Sequence, residues 1–161
     1  MEAKVQWQGN LRFTGIGDKG LELPLGSHQA IDRNYSGFRP MELFAIGIAG
    51  CTAMDVISIM LKKRQDVTDF NVQVHIDRAE EHPKVFTKAV INYHFYGHGI
   101  NEAAVVRSIE LSATRYCPAQ AMMGEIMPID LKYYIYDDQD NGEQILVTSS
   151  VFTVPELENS N

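Results

Sequence analysis

The chain has little of what marks several large classes of protein. Its 161 residues include two cysteines, and fourteen Lys and Arg stand against twenty-one Asp and Glu, for a net charge of −7. Two cysteines are too few for a disulfide scaffold, and this charge predicts no patch that binds nucleic acid or anionic lipid. No apolar stretch follows a basic start, so we expect no secretory signal and a cytoplasmic protein.

What remains is the composition of an ordinary globular protein. Hydrophobic residues make up 45% of the chain and charged residues 22%. This length suits one domain, and we expect residues 1–161 to form it, with the acidic, polar end from 155 to 161 frayed.

The pattern of apolar residues predicts an α+β fold with antiparallel sheets. Short glycine-punctuated strands between residues 3 and 26 indicate a β-meander, and residues 27–39 have the polar, glycine-containing character of a loop. Further strands are predicted at 70–76, 85–96, 129–136 and 145–154. Gly97-His98-Gly99 is interpreted as a break before a helix capped by Asn101, which ends at Cys117-Pro118.

A long apolar helix is predicted from Met41 to Leu61. Pro40 suits its first turn, and the basic residues from Lys62 suit the negative end of its dipole. Its length would span a membrane, but Asp55 near its middle favours a core helix, buried on nearly every side.

Cys51 lies inside this helix, and its position allows two interpretations. A small buried residue in an apolar helix often serves only packing. A reactive thiol there needs a nearby cation to stabilise its thiolate, and Arg33 and Arg39 precede the helix. Glu42 also allows two interpretations, a catalytic role or a structural one, since a carboxylate in the first turn interacts favourably with the helix dipole.

Cys117 directly precedes Pro118, which is favoured at the first position of a helix. We predict that Cys117 caps a short helix ending at Met122 or Gly124, with backbone N–H groups that favour its thiolate. The alternative is a kink in which cysteine is a small filler. The spacing of the five histidines and two cysteines predicts no metal site.

The sequence RPMELFAIGIAGC at residues 39–51, with the later Cys117-Pro118, resembles the OsmC/Ohr family. The similarity covers most of the chain. It implies an intertwined homodimer, in which β-sheets wrap around two central helices and the active sites lie at the subunit interface. It also implies a peroxidase that acts on small apolar organic hydroperoxides.

The same resemblance implies the roles of individual residues. Cys51 matches the cysteine that attacks peroxide and forms a sulfenic acid, and Cys117 matches the one that then closes a disulfide with it. No bound cofactor is implied, and an external dithiol, such as a lipoyl group, would restore the enzyme.

The activating pair of the family is matched by Glu42 and Arg33. Met41 follows Pro40 where the peroxidase branches have glutamate, and Glu42 comes one residue later. Arg39 and Arg12 are alternatives to Arg33. A second hypothesis is therefore a non-catalytic module of the same fold, which binds an apolar molecule at the dimer interface or senses redox state.

Overall fold

A computed structural model describes residues 1–26 and 37–153 of the chain. It separates into two units, Met1–Ile46 and Gly47–Asn161, and the long helix begins in the first and ends in the second. The predicted site residue Arg33 and the tail predicted to fray lie outside the described residues.

The first unit contains the predicted β-meander. Strands β1 (Ala3–Trp7), β2 (Arg12–Gly17) and β3 (Glu22–Gly26) pair antiparallel in that order. Gly9 and Gly20 occupy the turns with φ of 93° and 73°, a backbone conformation that favours glycine. The meander is confirmed.

Helix α1 runs from Pro40 to Lys62, within one residue of the prediction. Its buried side chains form one stripe at four-residue spacing: Ile48, Thr52, Val56 and Met60. The expectation that it is buried on nearly every side is wrong for the single chain, because Phe44, Met54 and Leu61 are 54%, 72% and 60% exposed. A straight helix presents one stripe to one layer, and the described chain leaves its other faces uncovered.

The second unit contains a four-stranded sheet. Its strands lie in the order β4 (Asp66–Arg78), β5 (Phe86–His98), β6 (Ile129–Asp138) and β7 (Gln144–Phe152). The predicted α+β class is confirmed, and β4–β5 and β6–β7 are antiparallel. The β5–β6 pair is parallel, because the helical crossover between them carries the chain back to the end of the sheet at which β5 begins.

The crossover has three helical segments. Helix α2 (Glu102–Leu111) is capped by Asn101, whose Oδ1 accepts from the Ala104 backbone N–H at 3.2 Å, as predicted. A π-helical segment (Ser112–Tyr116) follows, and helix α3 (Pro118–Gly124) ends the crossover. The core of this unit packs the stripe of α1 and the inner face of α2 against the sheet.

Strand β5 passes through the predicted break at Gly97. Gly97 pairs with Val67 on one side and Asp137 on the other. A Cβ atom on Gly97 would lie 1.9 Å from the Asp66 carbonyl oxygen. Glycine is therefore used here for the close approach of two strands, and the strand ends at His98.

Candidate functional site

The structure brings the two cysteines together from different helices. Cys51 lies in the fourth turn of α1, and Cys117 is the residue before α3. Both are free thiols, and their side chains are hydrogen-bonded to each other. They differ in exposure, since Cys51 is half-buried and Cys117 is 2% exposed. Two thiols in contact on separate elements form a pair that can close a disulfide.

Cys117 caps α3 as predicted. Its Sγ accepts from the Gln120 backbone N–H at 3.4 Å, and Pro118 occupies the first helical position. The predicted preference for thiolate is nevertheless wrong. The pKa of Cys117 is raised to about 12: burial is the largest cause and the hydrogen bond to Cys51 adds to it, whereas the bonds from the Gln120 and Ala119 backbone lower it by less. Burial destabilises the thiolate more than the two backbone N–H donors stabilise it.

Four polar side chains are buried beside the cysteines, and we name them the buried polar cluster: Thr52, Tyr93, Ser112 and Gln120. Thr52 Oγ1 lies 2.8 Å from the Tyr93 hydroxyl and 2.9 Å from Ser112 Oγ. Gln120 Nε2 donates to Thr52 Oγ1 at 2.8 Å and to the Tyr93 hydroxyl at 3.3 Å. Ser112 Oγ donates to Asp55 Oδ2 at 3.3 Å, at the edge of the cluster.

The amino-acid sequence does not predict this cluster. The four residues belong to α1, β5, the π-helical segment and α3, so no spacing along the chain connects them. The one available signal was that Thr52 and Asp55 interrupt an otherwise apolar helix close to Cys51. Burial also raises the pKa of Tyr93, which keeps its hydroxyl protonated.

At the start of α1, the Glu42 carboxylate is hydrogen-bonded to Arg39, the residue before the helix. Its Oε2 accepts from the Arg39 backbone N–H at 2.9 Å, and its Oε1 accepts from Arg39 Nε at 2.7 Å and also from Nη2. Glutamate at the third helical position, bonded back to the capping residue, is a known helix-start arrangement. Of the three arginines considered, Arg39 therefore contacts Glu42, Arg12 lies in β2, and Arg33 is outside the described residues.

Two open cavities lie along the described residues of the second unit. The larger has a volume of about 920 Å³ and lies along the second half of α1, with these lining residues: Met54, Asp55, Ile57, Ser58, Ile59, Leu61, Lys62, Leu111 and Tyr116. The smaller, of about 180 Å³, includes Cys117, Arg115 and Tyr116 in its walls. The larger cavity is mostly apolar, with one carboxylate that belongs to the hydrogen bonds of the buried polar cluster.

Within residues 1–26 and 37–153, no three His, Cys, Asp or Glu side chains are grouped closely enough to hold a metal ion. Helix α1 is long and apolar enough to cross a membrane, a test that core helices of soluble proteins also pass.

The fold and the thiol pair together define an α+β protein with two free cysteines in hydrogen-bond contact. A family model described as OsmC-like protein matches residues 32–132, which is more than half of the chain. The chain belongs to the OsmC family.

Its relatives agree with this assignment. The chain is 37% identical to protein YhfA of Escherichia coli strain K12 over 140 residues, covering 84% of this chain and 98% of YhfA. A hypothetical protein from Aquifex aeolicus VF5 has a similar structure, with a TM-score of 0.75, 26% identity, and coverage of 86% of this chain and 97% of that chain.

The organic hydroperoxide resistance protein OhrB of Bacillus subtilis shares the fold at lower similarity. Its TM-score is 0.57 with 16% identity, covering 83% of this chain and 98% of that chain. The predicted resemblance to OsmC/Ohr proteins is thus confirmed.

Proposed function

We propose that this protein is a cysteine-based peroxidase that reduces organic hydroperoxides. The observation that carries the proposal is the contact between Cys51 and Cys117. Membership of the OsmC family supports it, as do the names of structural neighbours, which include organic hydroperoxide resistance proteins.

In the first step, the Cys51 thiolate attacks the terminal oxygen of the hydroperoxide. The O–O bond breaks, the sulfur is oxidised by two electrons to a sulfenic acid, and the alkoxide leaves with a proton as the alcohol. In the second step, the Cys117 sulfur attacks the Cys51 sulfur. A disulfide forms, and the hydroxyl of the sulfenic acid leaves with the Cys117 proton as water.

The exposure of the two thiols supports this order. Cys51 is half-buried and so within reach of a substrate, whereas Cys117 is 2% exposed. Because the pKa of Cys117 is raised to about 12, this thiol is protonated at neutral pH and is a poor first nucleophile. We therefore propose Cys51 as the peroxidatic cysteine and Cys117 as the resolving one.

The resting state is restored by an external dithiol, for which a lipoyl group is the proposed class. Its two thiols reduce the Cys51–Cys117 disulfide and become a disulfide themselves. No bound cofactor is required, and we propose a cytoplasmic location, where such reductants keep thiols reduced.

We further propose that the protein works as a homodimer. Apolar side chains of α1, among them Met54 and Leu61, remain exposed in the single chain. Exposed apolar surface on a long helix is typical of a face that a partner covers. A second copy of the chain is the partner that the family resemblance implies.

The proposed activity is tested by mixing reduced protein with cumene hydroperoxide and with hydrogen peroxide in a stopped-flow instrument, then counting free thiols. We expect fast loss of both thiols per chain, with preference for cumene hydroperoxide. The Cys51→Ser variant should not react, and Cys117→Ser should lose one thiol and accumulate a sulfenic acid that dimedone traps. Reaction no faster than that of a free thiol in solution would contradict the proposal.

A second function is favoured by the 920 Å³ apolar cavity along α1. In this alternative, the protein binds an apolar molecule without turnover or senses redox state. Any ligand that binds the folded state raises its unfolding temperature by mass action. Thermal unfolding with increasing cumyl alcohol would reveal such binding, and stabilisation of a protein that fails to consume hydroperoxide would favour this function.

A further inference from the structure

The buried polar cluster joins four elements around the thiol pair. Thr52 follows Cys51 directly in α1, and Gln120 lies in the first turn of α3, whose capping residue is Cys117. Thr52, Tyr93 and Ser112 are fully buried and Gln120 is 5% exposed. Buried polar groups are costly unless they are hydrogen-bonded, so a cluster of this size constrains the elements that carry it.

The geometry fixes the direction of each hydrogen bond. Ser112 donates its one hydroxyl proton to Asp55, so it accepts from Thr52. Thr52 has then used its one proton, so it accepts from Tyr93. The chain of hydroxyl groups therefore runs in one direction, from Tyr93 through Thr52 and Ser112 to the Asp55 carboxylate.

Gln120 donates two hydrogen bonds to this series of hydroxyl groups. Both protons of its Nε2 are used, one by Thr52 Oγ1 and one by the Tyr93 hydroxyl. These two bonds fill the last acceptor position of Thr52 and the acceptor position of Tyr93. The side chain of Gln120 thus ties α3 to α1 and to β5.

The backbone of the same residue contacts the resolving thiol. The Gln120 N–H donates to Cys117 Sγ at 3.4 Å. Gln120 is therefore anchored through its side chain to the neighbour of Cys51, and through its main chain to Cys117. Helix α3 has only seven residues, too short to be rigid without such an anchor.

We propose that Gln120 is a positioning residue, which holds Cys117 against Cys51 through its bonds to Thr52 and Tyr93 and so sets the effective concentration of one thiol at the other. The inference deepens the proposed function, because it concerns the step in which the disulfide closes. Gln120 itself touches neither substrate nor peroxide in this role.

The test measures the equilibrium between the Cys51–Cys117 pair and oxidised and reduced dithiothreitol, which requires no peroxide. In Gln120→Met, an apolar side chain of similar length removes both donors. We expect about a tenfold lower effective concentration, which raises the reduction potential of the disulfide by about 30 mV. Alkylation of Cys117 in the reduced variant should become faster, since its sulfur is less firmly held.

Three further variants keep the proposal testable if Gln120→Met fails to fold. Thr52→Val removes the hydroxyl that Gln120 binds and should shift the potential in the same direction. Thr52→Ser keeps the hydroxyl and should retain the wild-type effective concentration within about twofold. Met122→Ala changes an exposed side chain of α3, 66% exposed, and should leave the potential unchanged.

The outcomes separate this proposal from the proposed activity. If Gln120→Met and Thr52→Val have the wild-type potential, Gln120 does not position Cys117, whatever the peroxidase rate. If the wild-type disulfide forms with dithiothreitol and the two variants raise its reduction potential as expected, but the wild-type protein does not react with hydroperoxide, the positioning role stands and the peroxidase proposal fails.

Discussion

At the scale of single residues, the two cysteines show that burial decides what local sequence leaves open. The position of Cys117 before a helix predicts a stabilised thiolate, and its hydrogen bond from Gln120 is present. The sulfur is nevertheless buried, and its pKa is raised to about 12. A sequence pattern shows the donors at a helix start but not the depth at which the whole fold places them.

The ionisation of Cys117 gives a prediction for the Cys51→Ser variant, in which it is the one remaining cysteine. Because burial is the largest cause of its raised pKa, we expect iodoacetamide to alkylate native Cys117 slowly up to about pH 10. The urea-unfolded variant, with the thiol near its usual pKa, should react readily at pH 9. Equal pH profiles for the native and unfolded variant would contradict the burial argument.

The raised pKa of Cys117 also makes the free energy of unfolding fall as the pH rises. The unfolded thiol ionises near its usual pKa of 9.0 and the folded thiol near 12, so the unfolded state loses its proton first as the pH rises. The contribution of Cys117 to stability is therefore fully present below about pH 9 and is lost between pH 9 and 12.

At the scale of elements, the start of α1 explains why Glu42 occupies the third helical position. Its carboxylate accepts the Arg39 backbone N–H, and the exposed ion pair with the guanidinium adds little. We expect Glu42→Ala to lower the free energy of unfolding by about 0.5 to 1 kcal/mol in urea denaturation.

Glu42→Gln is the matched control, because it keeps an acceptor for the backbone N–H. This variant should retain most of the stability that Glu42→Ala loses. If Glu42→Gln instead abolishes the reaction with hydroperoxide at unchanged stability, Glu42 has the catalytic role that the family resemblance implies, beyond its role in starting the helix.

The pairing of β4 with β5 gives a second prediction at this scale. A methyl group on Gly97 would overlap the Asp66 carbonyl, which is backbone and cannot move alone. We expect Gly97→Ala to destabilise the protein by about 1 to 3 kcal/mol in urea denaturation. Gly17→Ala in β2, where a Cβ meets nothing within 4 Å, should cost far less. Similar losses in both variants would show that the overlap is relieved cheaply.

The elements that sequence predicted well are those with strong periodicity. Helix α1 and strands β4 to β7 follow from runs of apolar residues, and Asn101 and Cys117 were correctly predicted as caps. The parallel β5–β6 pair was not predicted, because strand order depends on contacts distant in sequence. The buried polar cluster was not predicted for the same reason, because its four residues lie far apart in the sequence and are brought together by the tertiary fold.

At the scale of the whole molecule, the apolar helix α1 has a composition that the single chain does not explain. A stripe containing Val56 and Met60 is fully buried, while Met54 and Leu61 on other faces are exposed. Exposing large apolar side chains next to each other on one helix costs free energy in water. In the proposed homodimer, a second copy of this chain removes that cost by covering this face with its own helix.

The proposed homodimer is tested by sedimentation velocity. We expect the wild-type protein to sediment with twice the 18.1 kDa mass of one chain at micromolar concentration. Met54→Glu and Leu61→Glu each place a charge on the exposed apolar face of α1 and should shift the protein toward the monomer, since burying an unpaired charge is costly. Val85→Glu, at a position 55% exposed between β4 and β5, is the matched control and should remain dimeric. A wild-type monomer that binds neutral phosphatidylcholine vesicles would instead assign this face to a membrane, and a dimer unaffected by either α1 substitution would place the interface elsewhere.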